Sequence, residues 1–246
     1  MSEADWRAVL AGRDDLTVWA MAPGAAPEDP QTLPRDALNQ LPGPVVAAGL
    51  DVAPRPVPCV PLAGTTHVVA LPHVAAIPML RQEHPVALTR GAEVAMAGYL
   101  VQAPQFDGVL LVLGQETCWS HISAGEVVSF QTFLTPQLAD ALKAKPTRLD
   151  AAFDAALGET LSRPERLAQH LASTHASGTG QIVAHLIGAE IAAAKPYWLG
   201  QRIVVLGADP DPYIRALTAQ GATVETASLD EALLGGFHAA WSQATA

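Results

Sequence analysis

The chain has 246 residues, half of them hydrophobic and 15% charged, with a net charge of −10. That length and apolar content allow a buried core in one large domain or two lobes and exclude global disorder. The negative charge argues against a nucleic-acid partner, which needs a Lys/Arg surplus, and against an anionic membrane surface. Two cysteines, Cys59 and Cys118, form neither a disulfide framework nor a zinc-ligand spacing and suit a reducing compartment. The N-terminus carries acidic residues and no signal-peptide core. The apolar runs at 68–80 and 182–194 fall short of the ~18–20 residues of a membrane span. A cytoplasmic location is expected.

In chain order, Trp6–Leu10 and Leu16–Met21 read as two strands around the polar turn Gly12-Arg13-Asp14-Asp15. Pro23, Pro27, Pro30 and Pro34 then break any long helix. Val45–Leu50 is a short buried strand, the proline-studded stretch at 51–61 an extended surface loop, and His67–Leu71 a further strand. From Thr89 to Val101 the apolar spacing becomes helical. Val109–Leu113 is an apolar strand that stops at Gly114. Cys118–Ile122 and Glu126–Leu134 follow as strands with Ala124-Gly125 as their turn. Helices are expected over Pro136–Lys145, Asp150–Leu157, Arg163–Thr174 and Ile182–Ala194, the last stopped by Lys195-Pro196. Strand Arg202–Leu206, helix Asp209–Gln220, strand Thr223–Thr226 and helix Leu229–Trp241 close the chain as a β-α-β-α unit.

A strand that ends at glycine and doubles back is a frequent phosphate-binding architecture, because glycine lets backbone N–H groups approach an anion. Here the turn after Gly114 carries Gln115, Glu116, Thr117 and Cys118 rather than hydroxyls with a cation. Gly12 before Arg13-Asp14-Asp15 is equally an ordinary hairpin turn. Arg90 and Glu93, one helical turn apart, form either an exposed ion pair or a pair facing a ligand. Glu190 in an apolar helix is either a surface position or part of a cleft. The eight histidines show no metal-ligand spacing: His67 and His73 are six apart, and His170 and His175 lie on different helix faces. No metal ligand is assigned. Ser173, Ser177 and Gly178-Thr179-Gly180 offer a glycine-rich turn before a helix, a weak anion-site signal.

Several of these segments resemble the 2-dehydro-3-deoxygalactonokinase family. That family reads Leu-Pro-Gly-Thr-His-Ser-Lys-Trp, a hairpin, then Phe-Arg-Thr-Phe-Met-Thr-Gly-Glu-Leu. Gly114, Trp119, Gly125, Phe130, Thr132, Phe133, Thr135 and Leu138 agree with it without a gap. Arg90-Gly91-Ala92-Glu93 is similar to its Arg-Gly-Glu-Glu, and the helix around Gly188-Ala189-Glu190 to its Leu-Leu-Ile-Gly-Ala-Glu-Val. Val204–Gly207 resembles its adenosine-side strand–glycine step, and Val57-Pro58-Cys59 also has a counterpart. The resemblance implies an α/β, two-lobed actin/hexokinase-like fold with an interlobe cleft. The lobes would span 1–100 and 101–246, with the last helix returning to the first. It also implies ATP and Mg²⁺ as cofactors and a sugar acid as ligand. Gly12, Gly114, Gly188 and Gly207 would give a nucleotide backbone access, with Arg90 and Glu93 on the substrate side.

The departures bear on function. With Leu16–Trp19 laid on the family's Leu-Arg-Ala-Trp, Gly12 falls on its glycine, Leu10 on its Mg²⁺-binding aspartate, and Arg13 and Asp14 on its two threonines. Gln115, Glu116 and Cys118 replace threonine, histidine and lysine. Ala92 replaces a glutamate, Ala87 falls about where the family has its acidic base candidate, and Pro136-Gln137 replace Gly-Glu. Phosphoryl transfer rests on positioning and on neutralising a highly anionic group. A like charge at ~4 Å opposes it by about 4 kcal/mol at an effective dielectric of 20. A missing base removes another ~10²–10⁴-fold of rate. The sequence therefore suggests a degenerate kinase homologue without an assigned catalytic residue. It binds a sugar acid or nucleotide, or acts through a protein partner or homo-oligomer. An active ATP-dependent kinase for 2-dehydro-3-deoxy-D-galactonate and a structural subunit of a larger assembly are the alternatives.

Overall fold

A computed structural model describes residues 5–22, 27, 29–62, 64, 66–68, 71–144, 148–178 and 180–245. Pro23, Lys145, Thr179 and positions 69–70, which the expectations above include, lie outside the described residues. The elements in chain order are β1 (Trp6–Ala11), β2 (Asp15–Met21), β3 (Gln31–Pro34), β4 (Val45–Ala48), β5 (Arg55–Pro56), β6 (Thr66–Val68), β7 (Leu71–Ala76), β8 (Leu80–Glu83) and β9 (Val86–Leu88). Then come α1 (Ala92–Gln102), β10 (Gly108–Leu113), β11 (Thr117–Ser123), β12 (Glu126–Phe133), α2 (Thr135–Ala141), α3 (Ala151–Ser162), α4 (Leu167–Ser177) and α5 (Ile182–Ala193). The chain ends with α6 (Lys195–Trp198), β13 (Arg202–Leu206), α7 (Asp211–Ala219), β14 (Thr223–Ala227) and α8 (Leu229–Thr245). They form two compact units, one of residues 1–106, 124–128 and 229–246, the other of 107–123 and 129–228.

The first unit holds a six-stranded sheet in the order β3-β2-β1-β4-β7-β6 and a three-stranded sheet β5-β8-β9. β1 pairs antiparallel with β2, and β4 runs parallel to both β1 and β7. β4 is buried along its length and β1 and β2 nearly so, and these three read as near-continuous apolar runs. Val9, Ala11, Leu16, Val18, Val45, Ala47, Val74 and Ala76 make one core layer. Trp19 packs on Phe237 of α8 at 5.8 Å between centroids, and Trp6 stacks on Trp241 at 4.9 Å.

Proline predicts less disruption here than it should. β3 forms as an edge partner of β2 within the proline-rich connector, and β5 pairs with β8 inside the stretch expected to be loop. Cys59 bridges to Val127 just beyond it. Edge strands tolerate proline because one side of their backbone needs no partner. The hairpin β8–β9 has no counterpart in the expectations. Its tight Glu83–Val86 turn contains Pro85, after a cis His84–Pro85 bond.

In the second unit the sheet order is β12-β11-β10-β13-β14, with β10, β13 and β14 parallel. Ala124 and Gly125, the turn between β11 and β12, both adopt positive φ (50° and 77°), the twist-matched hairpin geometry. Asp150 caps α3, its Oδ1 accepting from the N–H groups of Ala152 and Phe153 at 3.0 and 3.1 Å. Val109, Leu111, Trp119, Ile203 and Val205 of the sheet pack with Phe153, Ala184, Ile187, Ile191 and Leu217 of the helices. Lys195-Pro196 does end α5, yet α6 starts at once, with proline in its first turn where no N–H is needed.

Helices α1 and α8 approach closely through glycine. A Cβ on Gly98 would run into the Ala232 carbonyl and sit 2.5 Å from Gly236 N, and one on Gly236 would strike the Val94 carbonyl. These are backbone atoms that cannot step aside, so Gly98→Ala should destabilise the protein by roughly 1–3 kcal/mol through overpacking. Urea denaturation checks this. An alanine at Gly158, where a Cβ meets nothing within 4 Å, should be neutral or stabilising.

Candidate functional site

In the first unit the β1–β2 turn is closed on itself. Gly12 N–H donates to the Asp15 carbonyl at 2.9 Å. Its own carbonyl accepts from Arg35 Nη1, and Arg35 Nη2 reaches the Gly49 carbonyl at 3.5 Å. Gly49 has φ +77° and lies so close to the Ala11 carbonyl that a side chain would not fit. Arg35 therefore binds the hairpin to the loop after β4. Arg13, Asp14 and Asp15 point to solvent. Leu10 covers Gly91, where a Cβ would overlap Leu10 Cδ1.

Arg90 and Glu93 part company. Arg90 is exposed on a left-handed turn (φ 47°), followed by Gly91 at φ 100°. Glu93 is fully buried in the first turn of α1. Its Oε2 accepts from Thr89 Oγ1 at 2.5 Å and Gly91 N at 2.9 Å, while Thr89 Oγ1 accepts from Leu80 N at 2.9 Å. Glu93 Oε1 has no hydrogen-bond partner among the described residues. Burial pushes the Glu93 carboxyl up to about 7 despite those donors. Glu93 thus braces the turn that displays Arg90, and it does not itself reach the surface.

In the second unit Gly114 N–H donates to the Glu116 carbonyl at 3.1 Å, again closing the turn on itself. The Glu116 carboxylate lies 3.5 Å from Gln137 Nε2. Cys118 is buried, with its sulfur 3.3 Å from Ser120 Oγ. Gly207 lies against the Leu113 side chain, 2.7–2.9 Å from an added Cβ. Gly188 faces α3, where a Cβ would be 2.6 Å from the Leu157 carbonyl, so its lack of a side chain serves helix packing.

Glu190 is 2% exposed, a buried acceptor rather than a surface residue. Its Oε1 accepts from Thr117 Oγ1 at 2.7 Å and Trp119 Nε1 at 2.8 Å. Its Oε2 accepts from Tyr213 Oη at 2.9 Å and from Thr135 Oγ1. Burial raises its pKa and the four donors oppose that shift. Thr135 and Trp119 match the family pattern and Thr117 lies in the turn after Gly114, but nothing in sequence joins them or Tyr213 to Glu190, because the four donors sit 23 to 73 residues away from it. Similarly, His170 meets His185 of α5, not His175, and both face Thr160. Ser177 Oγ donates to the Thr174 carbonyl, and Gly178 (φ 66°) ends α4.

The model of a family described as 2-keto-3-deoxy-galactonokinase matches residues 41–240. Among solved structures, that of a candidate 2-dehydro-3-deoxygalactonokinase protein from Sinorhizobium meliloti matches with a TM-score of 0.81 at 20% identity. The match covers 97% of this chain and 99% of that one. The (R)-2-hydroxyglutaryl-CoA dehydratase component A of Acidaminococcus fermentans matches with a TM-score of 0.54 at 12% identity, over 98% of each chain. No curated protein matches this chain. The structural likenesses speak for the fold: mixed α/β, of the actin-like and sugar-kinase type.

The two buried carboxylates make separate predictions. Glu190→Ala leaves an indole N–H and three hydroxyls without their acceptor and opens a cavity. It should destabilise the protein by at least about 3 kcal/mol. Glu190→Gln should do much less harm, since the carboxamide oxygen can face Trp119 while its NH₂ meets hydroxyls that can turn to accept. Thermal and urea unfolding of the pair compare them. For Glu93, the folded pKa of about 7 lies above the usual 4.5, so the folded state binds the extra proton between those values. Its stabilising contribution is full below about pH 4.5 and is lost as pH rises through 7, a swing on the order of 3 kcal/mol. Glu93→Gln, which mimics the protonated acid, should flatten stability against pH over that window.

Proposed function

Because the chain belongs to the 2-keto-3-deoxy-galactonokinase family, we propose that it is a degenerate sugar-acid kinase homologue. It keeps the kinase fold, transfers phosphate at a greatly reduced rate, and retains sugar-acid recognition through Arg90. Family membership implies a sugar-acid substrate and the use of ATP with Mg²⁺.

The observation that carries the reading is the closure of both hairpins. An anion-binding turn must present free N–H groups. Here Gly12 and Gly114 each spend theirs on a carbonyl of their own turn. The side chains beside them supply no compensating charge at Gly114, where Glu116 is acidic, and Leu10 is apolar where a Mg²⁺ carboxylate would be needed. Among the described residues neither hairpin brings three His, Cys, Asp or Glu side chains together. This donor set does not fit a Mg²⁺–triphosphate. Gly12, Gly114 and Gly207 then offer at most backbone shape to a nucleotide, and Gly188 contributes by letting α3 and α5 approach.

On the sugar-acid side, Arg90 supplies a permanent cation suited to bidentate carboxylate binding. Glu93 acts as its positioning residue by holding the Thr89–Gly91 turn. The same proposal places the protein in the cytoplasm. Cys59 and Cys118 are buried and form no disulfide, which suits a reducing compartment.

With MgATP and 2-dehydro-3-deoxy-D-galactonate, the purified protein should release ADP only marginally faster than without the sugar acid. Calorimetric binding of the sugar acid should be detectable in the wild type and lost in Arg90→Ala. Substrate-dependent turnover that disappears in Arg90→Ala would instead establish an active ATP-dependent kinase, the alternative that family membership itself favours.

A further inference from the structure

Three helices of the second unit bring together polar groups that belong to neither hairpin nor to the Arg90 turn. Thr160 of α3 is fully buried, with its hydroxyl 2.7 Å from His170 Nδ1 of α4 and 2.8 Å from His185 Nδ1 of α5. Both imidazoles are nearly buried, at 8% and 5% exposure. Their rings stand 5.1 Å apart between centroids, tilted by 39°. Glu159, exposed and next to Thr160 in sequence, places Oε1 3.6 Å from His170 Nε2. Ligand atoms of Glu159, His170 and His185 all lie within 4.8 Å of one another.

Proton counting restricts what this cluster can be. A hydroxyl has one proton, so Thr160 can donate to one imidazole nitrogen and must accept from the other. Each imidazole thus has its Nδ1 held by Thr160, and His170 presents its other nitrogen, Nε2, to Glu159 Oε1 at 3.6 Å, an arrangement that a shared cation, either a proton or a metal ion, satisfies.

We propose that Glu159, His170 and His185 form a binding site for a divalent transition-metal ion of the Zn²⁺ class, with Thr160 as the residue that orients the two imidazoles. Ligand bonds of ~2.0–2.2 Å at a tetrahedral angle put neighbouring ligand atoms about 3.3–3.5 Å apart. The Glu159–His170 separation of 3.6 Å is already near that edge. Metal-binding histidines usually donate their second ring N–H to a carbonyl or other acceptor, which fixes the tautomer. The Thr160 hydroxyl, 2.7 Å from His170 Nδ1, can serve as that acceptor. His185 offers the third ligand atom, within 4.8 Å of those of Glu159 and His170. Two imidazoles and one carboxylate suit Zn²⁺ or Co²⁺, whereas Mg²⁺ and Ca²⁺ take oxygen ligands. Beside the cluster lies a polar cavity of about 340 Å³, lined in part by Gln169, Ser173, Ser177 and Arg166. It leaves room for water on the ion, and Arg166 opposes a bare cation while favouring an anion bound to it.

The full-length protein, stripped of metal by chelator dialysis, is titrated with ZnCl₂ by calorimetry and with CoCl₂ by visible absorption. One ion per chain is expected, with Co²⁺ d–d bands of a low-coordinate site and no competition from MgCl₂. Glu159→Gln, an exposed change that spares the core, and His170→Ala should each weaken binding by at least about tenfold. His175→Ala, on an exposed neighbouring position of α4, should leave it unchanged. The proposal is overturned if neither metal binds stoichiometrically, which would mean that a proton alone bridges Glu159 and His170. It is equally overturned if Glu159→Gln, with an unchanged circular dichroism spectrum, binds both metals as tightly as the wild type.

Discussion

A carboxylate taken out of water must be met by donors, and the second unit is organised around that requirement at Glu190. Four donors converge on its two oxygens: Thr117 and Trp119 from β11, Thr135 from the start of α2, and Tyr213 from α7. Each belongs to a different neighbour of α5 or to the sheet beneath it, so the helix cannot rotate or slide without stranding a buried group. With α5 held, Gly188 lets α3 come within backbone distance, and His185 is set opposite Thr160. The cluster proposed to hold a metal is thus a consequence of how one buried acid fixes one helix.

The first unit uses a buried acid differently. Glu93 satisfies only one of its oxygens, through Thr89 and Gly91, and its other oxygen stays without a partner among the described residues. Desolvation consequently dominates and leaves its carboxyl titrating near neutrality. The arrangement holds Arg90 in a left-handed conformation at the surface, which ordinary side chains adopt only when the surroundings impose it. A buried residue thereby positions an exposed cation, which is the one contact to a sugar acid in the functional reading.

Local pattern was a good guide where burial repeats with the period of the element. The β10–β12 meander and the closing β-α-β-α unit follow from alternation, glycine and apolar runs. It failed where proline sits on edge strands, at β3 and β5, and at the short β8–β9 hairpin, because edge pairing is decided by a neighbour and not by the strand itself. The site residues divide in the same way. Arg90 and Glu93 were visible as a spaced pair, but one helical turn of separation could not say that one is exposed and the other buried. Arg35, Thr160 and Tyr213 left no trace, since each acts on residues at least 10 positions away.

By itself the sequence determined the α/β class, the family, and the side chains available at each hairpin, because these depend on residue identity and on periodicities shorter than one element. Only the tertiary structure decided which backbone N–H groups are already spent, which carboxylates are buried, and which histidines meet. Hydrogen bonds and desolvation are settled between elements far apart in the chain. The same Gly12 or Gly114 can cradle an anion or close its own turn, and the difference lies in one carbonyl a few ångströms away.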